Sequence, residues 1–463
     1  MRRSLTNTQR RTASPEAGLT ISPSLGSASV FLHGKKPMNT SSNDPMENDY
    51  AAFIAIDWAD QKHAFRLQVA GQSQQETGTL EQKPEVIGPW VAKLRERFGG
   101  RPVALALEQS RGALIHALLT YDFLVLYPLH PTTVAKFREA FKSSGAKSDP
   151  LDTQQILQIL TKHRELLKPL NPDTEPTRLL ARQVEDRRKI VDTRTGHIQG
   201  VVASLKEYFP QAIELCSANL TSRLAWDLLK KWPTFEALQQ AKPSTIKRFF
   251  YGHNVRSPEL IQRAIQIATQ GQALTSDPAI VESGRYLALM HLEMIQRLNP
   301  IIEAYERRIE KLFNDHAEAP LFQKLPGAGP AMAPRLLSFF GTDRSRYATA
   351  TNAQSFSGIA PVTKSSGKSR AVYVRRACPK FDRQTFHEFA RLSVAKSQWA
   401  SNYLDYYTAK GKKYHTIIRS LAFKWIRILF RCWQNRTPYN EDQYMQTLAK
   451  RGSVFATLHL KPA

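Results

Sequence analysis

The sequence predicts an α/β domain followed by an all-α remainder, and three observations carry that division. Short apolar, β-branched runs alternate with helical patterns only between residues 50 and 165. Apolar residues spaced three and four apart recur through 166–315, and helical segments dense in Lys and Arg fill 316–450. Residues 1–49, rich in Ser, Thr, Asn and Pro, predict a disordered tail in which Met38 and Met46 offer later start positions; 451–463 is expected to be a second, short tail.

The first strand, Ala51-Ala-Phe-Ile-Ala-Ile56, is continuously apolar and lies between the polar runs Asn43–Asp49 and Asp60–Lys62. It therefore predicts a central strand buried on both faces, with Asp57 at its end. Strand signals follow at Lys62–Ala70 and Gln75–Leu80. Lys83–Phe98 places Val86, Ile87, Trp90, Val91 and Leu94 on one helical face. Val103–Glu108 is a second buried strand, Leu114–Leu119 a helix, Phe123–Tyr127 a strand and Thr132–Lys142 a basic helix. Three leading strands and then alternating helix and strand is the order of a ribonuclease-H-like sheet, one candidate among those that periodicity leaves open.

Glu108 ends its strand as Asp57 ends the first, and neighbouring strand ends in an open α/β sheet form a cleft. Lys147-Ser-Asp-Pro-Leu-Asp-Thr153 then opens a helix on which Asp149 and Asp152, three apart, share one side. Four clustered acids repel one another unless cations compensate, and two Mg²⁺ roughly 4 Å apart would do so and suit phosphoryl transfer. Asp149 reads equally as a helix cap with Pro150 in the first turn.

The middle segment holds Val184, Val191, Ile198 and Leu205 one heptad apart, closed by Pro210. A second run comprises Ile295, Leu298, Ile302, Tyr305, Ile309 and Leu312, where Pro300 should kink the helix or mark its start. These heptads serve either a dimerising coiled coil or packing within one helical domain. Trp226–Ala273 is expected to be a small helical insert, with helices at Ser244–Phe250 and Arg256–Arg263.

Residues 321–463 carry 24 Lys/Arg against 6 Asp/Glu, within a formal net charge of +25 for the whole chain. That asymmetry points to a polyanion, most simply nucleic acid. Leu325-Pro-Gly-Ala-Gly-Pro330 before an apolar helix, Met332–Phe340, reads as the turn of a helix-hairpin-helix-like element, with Gly327 and Gly329 admitting phosphate to backbone N–H groups. Ser357-Gly-Ile-Ala-Pro-Val-Thr-Lys-Ser-Ser-Gly-Lys-Ser-Arg370 gathers hydroxyls and basic groups. Lys364, Lys368, Arg370, Arg375, Arg376 and Lys380 are its candidate phosphate contacts. The residue types there fit a flexible phosphate-contacting loop or a nucleophilic serine. Tyr403, Tyr406, Tyr407 and Tyr414 interleave with Lys410, Lys412 and Lys413, and Phe423–Trp433 is a basic helix. The three cysteines, Cys216, Cys378 and Cys432, are too scattered for a zinc site or a disulfide framework, which predicts a reducing, cytoplasmic setting. No apolar run reaches the roughly 18 residues of a membrane span, and no secretory signal follows the basic start.

Three blocks together resemble a known family. They are Ile54-Ala-Ile-Asp57 with Leu107-Glu108; Lys147-Ser-Asp-Pro-Leu-Asp-Thr153; and Leu325-Pro-Gly-Ala-Gly329 through Ser357-Gly-Ile-Ala-Pro361 to Ser366-Gly-Lys368. In order and spacing, over about residues 50–440, the chain is similar to the DEDD-type insertion-sequence transposases of the IS-one-ten group, RNA-guided (bridge-RNA) recombinases. It departs from the family pattern at Ser148, Thr153 and Lys368, where that pattern has Thr, Ala and Gly. The resemblance implies a RuvC-like domain whose acids Asp57, Glu108, Asp149 and Asp152 bind Mg²⁺, with Mn²⁺ as a substitute. It further implies a helical coiled-coil dimerisation region and a transposase domain whose serine attacks DNA: Ser366, with Ser365 and then Ser357 as rivals. Donor and target DNA, a noncoding guide RNA and further copies of the chain, as homodimer or homotetramer, are the implied partners. The resemblance also implies that the serine comes from a different subunit than the acids and that the protein acts at the nucleoid of a bacterial cytoplasm. Two other readings stand beside it: a Mg²⁺-dependent DNA nuclease or junction resolvase using water as nucleophile, and a non-catalytic nucleic-acid-binding protein.

Overall fold

The computed structural model describes residues 50–141, 149–216, 219–367 and 369–457. The predicted disordered tail, residues 1–49, lies outside them. Two compact units divide at Leu170/Asn171, and each is taken by itself.

In the first unit β1 (Ala52–Asp57), β2 (Lys62–Val69) and β3 (Gln75–Glu81) form an antiparallel meander. It continues through α1 (Pro84–Arg97), β4 (Val103–Leu107), α2 (Ala113–Leu118), β5 (Leu124–Pro128), α3 (Pro131–Phe141) and α4 (Asp149–Lys162). The sheet order is β3-β2-β1-β4-β5, with β1, β4 and β5 parallel. One core joins Ile54, Ile56, Leu105 and Leu107 to Ile87, Val91 and Leu94 of α1 and Leu114, Ile115 and Leu118 of α2. The opposite core joins Phe53, Ala55, Ala104 and Ala106 to Val134 of α3 and Ile156, Leu157, Ile159 and Leu160 of α4. Cover on both faces is why β1 and β4 are apolar throughout rather than alternating. Burying six such side chains contributes on the order of 10 kcal/mol before chain entropy is counted. At the meander, Gly78 leaves room for the Phe65 ring, which would lie 2.6 Å from an added Cβ. Buried His63 accepts the Ala59 N–H at 3.1 Å through Nδ1 and meets Gln82 Oε1 at 2.7 Å through Nε2.

The second unit is organised on two long helices, α5 (Glu175–Tyr208) and, after α6 (Gln211–Leu215), α7 (Arg223–Lys231), α8 (Phe235–Gln239), α9 (Pro243–Gly252) and α10 (Pro258–Gln270), the helix α11 (Pro278–Asn314). Arg187 pairs with Glu306, Arg194 Nη1 with Asn299 Oδ1 at 2.9 Å, and His197 Nδ1 meets His291 Nδ1 at 3.0 Å. These contacts run in opposite directions along the two helices, so the pair is antiparallel. The predicted heptad residues Ile295, Ile302 and Ile309 are buried within the unit, and α11 continues through Pro300 rather than starting there. Gly200 and Gly284 allow the close approach: a Cβ at either would strike His291 or Tyr208.

Each end of the helix pair carries its own core. At one end Val201, Leu205, Tyr208, Ala288 and Leu292 pack with α6–α10. At the other, Leu180, Val184, Ile309 and Phe313 pack with α12 (Ala319–Gln323), α13 (Ala333–Phe340), α14 (Ala350–Phe356), α15 (Lys380–Ser393), α16 (Gln398–Ala409) and α17 (Tyr414–Gln434). Three buried tryptophans are held by their ring N–H groups: Trp433 donates to Gly341 O at 2.7 Å, Trp425 to Ser393 Oγ at 2.8 Å and Trp399 to Tyr439 Oη at 2.9 Å. A hairpin of β6 (Val362–Ser366) and β7 (Ser369–Tyr373) projects from this region; α18 (Glu441–Lys450) and α19 (Val454–Thr457) close the described chain. The expected second tail thus begins with an ordered turn, its Phe455 ring 4.9 Å from that of Tyr403. Among the described residues no helix is long and apolar enough to cross a membrane.

Candidate active site and nucleic-acid interface

Parallel pairing of β1 with β4 sets Ile56 opposite Leu107. The next residues, Asp57 and Glu108, therefore leave the same edge of the sheet on neighbouring strands, both half-buried. Helix α4 packs over β1, β2 and β4 and begins at Asp149, with Asp152 in its first turn. The side chain of Asp149 lies outside the description, whereas Asp152 is 4% exposed. A carboxylate buried to that degree needs a counter-charge, and Arg138 of α3 supplies it. Its Nη2 donates to Asp152 Oδ1 and its Nε to Gln155 Oε1 at 3.1 Å.

Of the four acids expected from the sequence, three have described side chains. Asp57 and Glu108 stand together, Asp152 is committed to Arg138, and among the described residues no three His, Cys, Asp or Glu side chains converge to hold a metal ion. Hard carboxylate oxygens suit Mg²⁺, and Asp57, Glu108, Asp149 and Asp152 are the residues that would hold it; Asp152 would have to exchange Arg138 for the ion. Arg138 was hidden in the sequence within a helix flagged only as basic.

The stretch read as a flexible loop is instead the β6–β7 hairpin. Ser366 ends β6 opposite Ser369, exposed beside Gly367, whose φ of +54° makes the turn. Ser365, also exposed, is paired with Arg370 one step back. Ser357 is fully buried; its Oγ donates to Gln354 O at 3.0 Å, so it has no access to a substrate. Lys364, Arg370, Arg376 and Lys380 are exposed, and Lys364 Nζ lies 5.7 Å from the centre of the Tyr373 ring. Arg375 is partly spent on structure, its Nε donating to Ala360 O at 3.2 Å. Lys368 lies outside the described residues.

Gly327 lies close against a neighbouring backbone. Its φ is +80°, and an added Cβ would sit 2.7 Å from the Leu392 carbonyl, so it is a packing glycine against the end of α15. Gly329 is open, nothing lying within 4 Å of its added Cβ, and its carbonyl accepts the N–H groups of Met332 and Ala333 at the start of α13.

Residues 54–210 match the model of a DEDD-type transposase family, and residues 319–405 match that of the transposase IS116/IS110/IS902 family. The chain belongs to the IS110 family of transposases. Among its relatives is the mini-circle putative transposase for IS117 of Streptomyces coelicolor, 24% identical over 86% of this chain and 97% of that protein. The 42 kDa protein of insertion element IS900 from Mycobacterium paratuberculosis is 23% identical over 76% of this chain and 87% of its own length. The 43.6 kDa protein of insertion element IS110, also from Streptomyces coelicolor, is 24% identical over 64% and 72%. As an insertion-sequence transposase the protein acts on DNA. The first matched segment covers the sheet and α5, the second α12 through most of α16, and residues 211–318 lie between them.

Proposed function

We propose that this IS110-family transposase cuts and exchanges DNA strands with Ser366 as nucleophile and the carboxylates Asp57, Glu108, Asp149 and Asp152 as the seat of Mg²⁺. The observation that carries the reading is the placement of Asp57 and Glu108 at adjoining strand ends, under a helix that brings Asp149 and Asp152 to the same sheet. Those acids run Asp, Glu, Asp, Asp within the segment matched to a DEDD-type family, and the sheet order favours a ribonuclease-H-like, RuvC-like fold.

Bound there, Mg²⁺ would supply charge to stabilise a pentacoordinate phosphate and its departing oxygen. The rest falls to side chains. The Ser366 Oγ forms a bond to phosphorus as the P–O3′ bond breaks; Oγ gives up its proton and the 3′ oxygen takes one. The product is a phosphoserine link and a free 3′-OH, and attack by a 3′-OH on that link reseals DNA without net hydrolysis. Lys364, Arg370, Arg376 and Lys380 hold the backbone near the serine. A noncoding guide RNA would set the target by base pairing, which suits a chain of net charge +25, and homodimers or homotetramers would be the working form.

Covalent capture tests this. Protein, Mg²⁺, RNA transcribed from the flanking DNA and labelled donor and target duplexes are incubated and then denatured. An adduct mapping to the Ser366 peptide, absent in Ser366→Ala and Asp57→Ala, is the expected result. Nicked DNA without adduct, unaffected by Ser366→Ala, would make water the nucleophile and the protein a nuclease or resolvase.

A further inference from the structure

We propose that the exposed basic face of α7 and α9, in the lobe between the two family-matched segments, grips the sugar–phosphate backbone of duplex DNA. The inference extends the transposase reading to a surface outside both matched segments. Residues 219–273 carry eight Lys/Arg and three Asp/Glu. Two of the three acids are locally engaged: Asp227 accepts from His253 Nε2 at 2.8 Å and from Arg223 Nε at 3.4 Å, and Glu259 from Ser257 Oγ at 2.6 Å.

Among the described residues Lys230, Lys231, Lys247, Arg248 and Arg256 pair with no carboxylate, and all five are exposed. On the long helices Arg188, Arg285 and Arg297 are each paired within their own helix, to Asp192, Glu282 and Glu293. Basic groups that only solubilise a helix surface are ordinarily interspersed with acids in this way. In the lobe Arg223 and Arg263 are paired in that way, to Asp227 and Glu214, while the five named cations are not.

Aromatic rings position those cations. Lys230 Nζ lies 5.1 Å from the Trp226 ring centre, and Lys231 Nζ lies 4.9 Å from that of Trp232 and 5.4 Å from that of Phe249. Lys247 and Arg256 bracket Tyr251 at 5.8 and 5.2 Å. Each ring faces the charged head itself and holds it in place at the surface. Trp232, at the end of α7, packs on Phe249 of α9 with centroids 4.9 Å apart, and His253, at the end of α9, bonds Asp227 of α7 at 2.8 Å. Two side-chain contacts thus tie together the helices that carry Lys230, Lys231, Lys247 and Arg248.

Exposed Lys and Arg in that excess over acids fit the phosphates of a nucleic-acid backbone. Tyr251 is the large ring exposed on this face, 40% accessible; one ring is too few to stack a run of single-stranded bases. An apolar protein partner would have to desolvate five cations.

The test is fluorescence anisotropy of a labelled random-sequence duplex with the full chain, titrated at several NaCl concentrations. Lys230→Gln/Lys231→Gln and Lys247→Gln/Arg248→Gln are compared with wild type and with Arg285→Gln/Arg297→Gln, all checked by circular dichroism for unchanged folding. If the face is a DNA grip, each lobe variant weakens binding several-fold and flattens the slope of log K against log salt by about 1.8, at roughly 0.9 per lost phosphate contact. The α11 control keeps the wild-type slope. Wild-type slope and affinity in both lobe variants would overturn the proposal, as would loss of binding confined to a hairpin RNA probe. A wild-type protein that bound no duplex at all would instead refute the DNA-partner reading on which the proposal rests.

Discussion

Arg138 is the residue on which the proposed metal site turns. Its guanidinium occupies the Asp152 carboxylate, so it competes with any cation seeking the same oxygens. Arg138→Gln should therefore bind Mg²⁺ about tenfold more tightly by calorimetry, since a contact charge at intermediate dielectric is worth more than the ~1.4 kcal/mol that tenfold requires. Equal affinity in both proteins would place Asp152 outside the metal site. Asp173 offers an acid-side test of the second unit. Burial works to raise its pKa, but hydrogen bonds from the Thr342 hydroxyl and N–H and from the Thr174 N–H prevail and hold it below the ordinary value. The unfolded chain then takes up the proton more readily than the folded one. The stabilisation is complete above the unfolded carboxylate range, near pH 4–5, and lost as pH falls through the lowered folded value. Asp173→Asn should cost about 1–3 kcal/mol at neutral pH, the worth of hydrogen bonds to a charged group. It should also show a shallower fall in urea midpoint between pH 6 and 3.

At the scale of elements, the two glycines before α13 separate packing from binding. Gly327→Ala forces a Cβ into the Leu392 carbonyl at positive φ and should lower stability by about 2 kcal/mol or more, whereas Gly329→Ala should stay within about 0.5 kcal/mol. If Gly329 admits phosphate, that variant will melt normally and still bind DNA more weakly. Helix α11 has a second stripe besides the one it buries: Ile280, Leu287, Met294 and Ile301 lie seven apart with Met290 between them, all exposed. Under the homodimer proposal this is the natural seam. Leu287→Glu with Met294→Glu should then halve the mass seen by light scattering while leaving helicity unchanged. Legibility followed the same physics. β1 and β4 were readable because burial on both faces demands unbroken apolar runs. The β6–β7 hairpin was not, because Val-Thr-Lys-Ser-Ser and Ser-Arg-Ala-Val-Tyr are exposed and carry no apolar alternation. The strand-end acids Asp57 and Glu108 could be found by position. The Arg138–Asp152 pair could not, since it joins two helices across a connection whose geometry no local pattern encodes.

For the whole molecule the open issue is which chain supplies which group. The carboxylates belong to the first compact unit and Ser366 to the second, and the family resemblance implies that they come from different copies in the working assembly. Two dead variants decide the matter. Asp57→Ala retains its serine, Ser366→Ala retains its acids, and neither alone should form the DNA adduct. Mixed under conditions that allow subunit exchange, they regain adduct if the serine of one copy works with the acids of another, and the label then rides only on the Asp57→Ala chain, which a mass tag identifies. If instead each copy uses its own acids and its own serine, every mixed assembly lacks a complete set and the mixture stays as inactive as its parts. Because the readout is a covalent bond on one identified chain, weak residual cleavage by either variant does not blur the answer.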